Sequence, residues 1–279
     1  MKVNFQLHPL LLLMMIFSYF LGLFTQLICF FVIITIHELG HFVAAKYFKW
    51  NVSRIVIWPF GGVMETEEFF NRPNREEFIV AIAGPIQHLW IYVVLYFAKF
   101  TTLSSLIIDQ LWFANTVILL FNLLPILPLD GGRIIFLIIS KFSSFHHSIA
   151  WMSFFSIVMI TALNILLLLL FTDLYGIHFT FLSVFLILDN WLTWKNKHIF
   201  LLKHLLARYF VANTERSNIT ILKTSPSTKV SELVKRFKKE CYHYVYIGDK
   251  PYPISEDDCL KALFTNNDPN LTLAKVGGS

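Results

Sequence analysis

The sequence predicts an α-helical polytopic membrane protein of about six transmembrane helices, followed by a small C-terminal α/β domain on the cytoplasmic side. Three observations carry this. Of 279 residues, 56% are hydrophobic and only 15% charged, where an ordinary soluble domain has about 25% charged residues. The apolar residues gather into runs of span length, at roughly 20 residues per crossing. From about residue 195 onward the composition turns polar and mixed.

The runs can be taken in order. Residues 9–48 are almost wholly apolar, too long for one span and about right for two, with Gly22 to Gln26 as the turn. The first two spans are therefore 9–24 and 27–48. Residues 49–77 differ: Val52 to Trp58 is rich in β-branched residues, and Pro59-Phe60-Gly61-Gly62 separates it from Val63-Met64. That pattern predicts strand, turn and strand, an edge to which an extended peptide could add. Further spans fall at 77–98, 104–124, 148–171 and 176–194, with a short apolar piece at 134–142. Between 125 and 132, two prolines and two glycines interrupt any helix.

Charge orients the spans. Lys2, Lys49, Arg54, Arg72, Arg75, Arg133, Lys141, Lys195 and Lys197 fall on one side, whereas the opposite loops offer only Lys99. Both termini are expected in the cytoplasm. The formal charge of +5 then describes loops beside a lipid bilayer, and no nucleic-acid partner is expected. Cys29, Cys241 and Cys259 have no metal-ligand or disulfide spacing and read as reduced thiols. No small-residue site precedes the first apolar run, so no cleaved signal peptide is expected.

The C-terminal part divides in two. Residues 195–215 form a basic linker with Phe200, Leu201, Leu202, Leu205 and Leu206, either a helix along the membrane surface or a plain connector. Residues 216–275 form a small α/β unit. It has a strand near Ile219 to Leu222, a helix from Val230 to Glu240, a strand from Tyr242 to Ile247, and a helix opened by a capping box at Ser255 to Asp258. Residues 276–279, with Gly277-Gly278-Ser279, are expected to be the remnant of an appended linker. The membrane domain proper is 1–194.

The chemistry concentrates in the second span, at His37-Glu38-Leu39-Gly40-His41. Helical residues four apart lie about 40° apart around the axis, so His37 and His41 share a face and can bind one Zn²⁺. Glu38 points roughly 100° from His37, where a general base for an activated water belongs. Ionisable groups at membrane depth are costly without a partner, and three occur here within five residues. A catalytic zinc takes three protein ligands and keeps a fourth position open. Asp130, in the broken segment after the fourth span, is the expected third ligand; His88 is its rival, although a polar group hydrogen-bonding across helices is the reading preferred for it. Asp109, Asp173 and Asp189 compete poorly, the first two lying toward the opposite face.

His37-Glu38-Leu39-Gly40-His41, Asn122-Leu123-Leu124-Pro125 and Pro128-Leu129-Asp130-Gly131-Gly132, with Ala83-Gly84-Pro85 between them, resemble the motifs of the site-2 proteases, which are intramembrane zinc metalloproteases. The resemblance implies zinc ligation by His37, His41 and Asp130, catalysis by Glu38, and support of substrate or catalytic loop by Asn122 and Pro128. The family often has Asn where this chain has His88. Six spans before a polar tail resemble the sporulation members. They imply a sigma-factor precursor (pro-σK) as substrate, inhibitory membrane partner proteins, and a membrane surrounding the forespore, facing the mother cell. The tail resembles a CBS domain, implying ATP as a ligand and homo-oligomerisation. The competing reading is a membrane metal transporter or a non-catalytic metal-binding scaffold, against which the sequence shows no internal repeats.

Overall fold

The computed structural model describes residues 4–7, 9–58, 61–66, 68–102, 104–170, 174–210, 218–248, 251–266 and 271–276. The Pro59-Phe60 turn, Asp173 and residues 277–279 lie outside them. The chain forms two compact units, residues 1–134 and 135–279.

The first unit opens with strand β1 (Asn4–Leu7) and helix α1 (Pro9–Phe20). Proline suits the first helical position because its missing N–H would have no intrahelical partner there. α1 ends early, and Gly22, at φ 72°, turns the chain into α2 (Phe24–Tyr47). Twelve residues span only about 18 Å as a helix, short of the roughly 30 Å hydrocarbon core. Beyond α2, Lys49 adopts φ 57°, and the Trp50 N–H donates to Ala45 O at 2.9 Å.

Strands β2 (Val52–Trp58) and β3 (Gly61–Thr66) follow as the sequence predicts. The sheet order is β1-β2-β3, with β1 parallel and β3 antiparallel to β2. Ala45, Trp50, Val52, Met64 and Val80 bury one another where this sheet meets α2 and α3 (Asn74–Ala98). A second apolar cluster joins Leu11 of α1, Ile33 and Ile34 of α2, and Ile91 and Leu95 of α3. Ala114 and Ile118 of α4 (Ser105–Asn122) complete it. These clusters hold α2, α3 and α4 side by side around the polar residues they share.

Helix α5 (Asp130–Phe142) begins four residues earlier than the apolar pattern suggests, so Asp130 is its first residue. Backbone bonds from Ile126 N to Leu124 O and from Leu129 N to Ile126 O, at 2.8 and 2.9 Å, fold the preceding segment tightly, and the Leu127–Pro128 peptide is cis.

In the second unit, α6 (Phe145–Leu170) packs on α7 (Leu174–Lys195), and Asn164 Nδ2 of α6 donates to Ser183 Oγ of α7 at 3.1 Å. Helix α8 (Lys197–Phe210) buries Leu201, His204, Leu205 and Arg208, spaced for a single helical face. The small sheet has order β4-β5-β6, from Asn218–Thr224, Cys241–Ile247 and Ile254–Ser255, with the first pair parallel. The predicted helix at Val230 to Glu240 is shorter, with α9 covering Val230–Leu233 and a 3₁₀ turn ending at Arg236. The capping interaction of α10 (Glu256–Thr265) is present, the Asp258 N–H donating to Ser255 Oγ at 3.1 Å. A short α11 (Leu273–Val276) ends the described chain.

A buried ionic cluster ties α8, β5 and α10 together. Arg208 Nη2 lies 2.7 Å from Glu256 Oε1, and the guanidinium also donates to Lys238 O and Cys241 O. Glu256 Oε2 accepts from the backbone N–H and the Nδ1–H of His243. Tucking this much charge inside so small a unit requires every partner to be in place.

Among the described residues, four helices are long and apolar enough to cross a membrane: α2, α3, α4 and α6. The expected first crossing is cut short by the turn at Gly22. The expected last one, α7, carries Asp189 and Asn190 close to its C-terminal end.

Candidate metal centre

The i, i+4 spacing on α2 brings the His37 and His41 Nε2 atoms to 3.1 Å. Asp130 Oδ2, at the start of α5, lies 3.2 Å from each. The three atoms make a nearly equilateral triangle in a buried setting. Zinc with ligands at about 2.0–2.2 Å in tetrahedral array separates its donors by roughly 3.3–3.6 Å, a little wider than the observed spacing. Asp130 Oδ2 makes no hydrogen bond among the described residues. The Nδ1–H of His41 donates to Val80 O at 2.7 Å, which leaves the Nε2 lone pair pointing into the triangle. Electron-pair donors facing one another in a buried space are an arrangement that a cation resolves. The residues fit a zinc ion.

Glu38 is also buried, with a carboxylate oxygen within 4.8 Å of a ring nitrogen of each histidine. It is thus beside the triangle, as its angular position on the helix predicts. Asn122 lies at the last residue of α4, half-buried, with Nδ2 donating to Ile118 O at 3.0 Å, and Pro128 is exposed on the turn before Asp130. The structure brings His37, Glu38, His41 and Asp130 together; Asn122 and Pro128 precede Asp130 in the chain and make no hydrogen bond with these four among the described residues.

His88 is adjacent but not at the triangle. Its Nε2 lies 3.0 Å from His37 Nδ1, and its Nδ1 lies 2.7 Å from Asn115 Oδ1. Both ring nitrogens are therefore engaged away from the three converging atoms.

One residue here escaped the sequence reading, and a second was seen there only as part of the Ala83-Gly84-Pro85 element. Asn115 of α4 is fully buried; an amide in the middle of an apolar span was its available signal. Gly84 of α3 faces the two rings: a Cβ there would stand 2.5 Å from His41 Cε1 and 2.7 Å from His37 Cε1. Only a residue without a side chain lets α3 come this close.

Comparison with known proteins identifies the family. Residues 25–114 match the model of Peptidase family M50. Stage IV sporulation protein FB of Bacillus subtilis is 33% identical, over 98% of this chain and 96% of that protein. A zinc metalloprotease of Methanocaldococcus jannaschii is 34% identical over 40% of this chain and 33% of its own length. The solved site-2 protease of the same archaeon aligns with a TM-score of 0.49 and 25% identity, over 71% of this chain and 92% of that one.

The chain belongs to peptidase family M50, the site-2 proteases. It is a metalloprotease of site-2 type and an integral membrane protein, which sets aside the metal-transporter reading.

Proposed function

We propose that the chain hydrolyses a peptide bond in or near the bilayer, with zinc held by His37, His41 and Asp130 and with Glu38 as the catalytic base. The observation that supports this most is the triangle of His37 Nε2, His41 Nε2 and Asp130 Oδ2 at 3.1, 3.2 and 3.2 Å. Zinc bound there supplies a Lewis acid that polarises the scissile carbonyl and draws the pKa of a water toward about 7. Glu38 accepts the proton of the attacking water as the carbon–oxygen bond forms. It then delivers that proton to the amine nitrogen as the carbon–nitrogen bond breaks. Asn122 and Pro128 hold the substrate or the turn that presents Asp130.

The substrate in this reading is a sigma-factor precursor, pro-σK, whose inhibitory pro-sequence is removed. Its support is the 33% identity, over nearly the whole length, to a protein named for stage IV of sporulation. The same likeness supports a location in the membrane around the forespore, cytoplasmic termini and inhibitory membrane partners. Residues 1–194 form the protease domain, 195–215 the linker and 216–275 a CBS-like module that senses ATP or docks partners, and through which copies associate. The parallel β4–β5 pair with α9 between its strands is the support for that module.

The test is co-expression of a pro-σK-type substrate with the parent chain and with Glu38→Gln, assaying zinc in both purified proteins. The parent is expected to cleave and the variant not, with zinc in both. Cleavage by the variant overturns the role of Glu38.

A further inference from the structure

The hydrogen bonds around His37 have a direction. Asn115 Nδ2 donates to His88 O at 3.2 Å, and a carbonyl oxygen can only accept. The Asn115 amide is thereby oriented, and its Oδ1 faces His88 Nδ1 at 2.7 Å. That oxygen also only accepts, so His88 carries its proton on Nδ1. In a neutral imidazole the other nitrogen is then an acceptor. His88 Nε2 accordingly accepts from the Nδ1–H of His37, 3.0 Å away. His37 is left with its lone pair on Nε2, the atom that faces His41 and Asp130.

We infer that Asn115 and His88 are positioning residues: a directional hydrogen-bond chain from α4 through α3 that locks His37 in the tautomer able to bind zinc. The inference rests on the proposed zinc ligation by His37, His41 and Asp130. His41 obtains the same setting from one backbone carbonyl, Val80 O. His37 has an imidazole where His41 has a carbonyl, and an imidazole can present either face of its donor–acceptor pair. Asn115 removes that ambiguity. An amide at position 88 could reproduce the polarity, because its oxygen accepts while its nitrogen donates.

The experiment measures zinc affinity by chelator competition on the purified full-length protein. His88→Leu, Asn115→Leu, His88→Gln and His37→Ala are compared with the parent. Cobalt-loaded samples report the ligand set through their visible absorption. Outer partners of metal-bound histidines are worth about 10- to 100-fold in metal affinity, and His88→Leu is expected to lose affinity in that range. Asn115→Leu, which retains His88 but frees its tautomer, is expected to weaken binding by up to about tenfold. His88→Gln is expected to stay within about threefold of the parent and to keep its cobalt spectrum. Parent-like affinity in His88→Leu overturns the inference, as does an equal loss in the Gln and Leu variants, which would make shape rather than polarity the determinant. Parent-like affinity in His37→Ala overturns the ligand assignment itself, a result distinct from either.

Discussion

Gly84 allows the sharpest test of how closely the centre is built. In Gly84→Ala the new Cβ would stand 2.5 Å from His41 Cε1 and 2.7 Å from His37 Cε1, where ordinary contact begins at 3.4 Å. His41 Nε2 is nearer still, so the rings, or α3, must retreat by about 1 Å, because a close-packed interior offers no slack to absorb one extra methyl group. Metal–ligand distances tolerate only about 0.2 Å, so this displacement costs at least one ligand. Zinc affinity is expected to fall at least about 100-fold, and peptide cleavage with it. The assay is chelator competition on the purified variant, alongside cleavage of a co-expressed substrate. Parent-like zinc affinity in Gly84→Ala would refute the packing argument.

Two further predictions concern the second unit. Removing the charge of Glu256 with Glu256→Gln leaves the buried Arg208 guanidinium without its anion, a loss worth about 3–5 kcal/mol for buried pairs. Local opening, read as alkylation of the neighbouring Cys259 in the full-length protein, should accelerate by about 100-fold or more; an unchanged rate would mean that the ionic cluster contributes nothing. In the parent, burial first, and then the charges of Asp258 and Glu256, push the Cys259 thiol up to about 12. It is therefore neutral at pH 8, and alkylation there should modify the partly exposed Cys241 and leave Cys259 intact, as peptide mass spectrometry would detect.

The parts of the molecule legible in its sequence are those fixed by local spacing. His37 and His41 are two turn-related positions on one helix, and their apolar neighbours made a shared metal the economical reading. The breaks at Pro125 and Pro128 pointed to Asp130 by interrupting a span. The β-branched run at Val52 to Trp58 found β2. What escaped depended on partners distant in the chain. Strand β1 is four residues long and exists by pairing with β2, although the alternation Val3, Phe5, Leu7 hinted at it. The predicted helix at 230–240 stops early where Lys238 N–H turns to donate to His243 Nε2 in β5. For His88 the preferred reading, a polar group bonding across helices, agrees with the structure, but no local pattern reveals that its partners are His37 and Asn115.

Because two of the three converging atoms come from α2 and the third from the first residue of α5, the triangle cannot close until α5 has been made. A nascent chain that has inserted α2, α3 and α4 has both histidines oriented, by Val80 and by the His88–Asn115 pair, yet lacks the carboxylate. If Asp130 is the third zinc ligand, as proposed, proteolytic competence arises only after the segment from Leu123 to Leu129 has folded to present it.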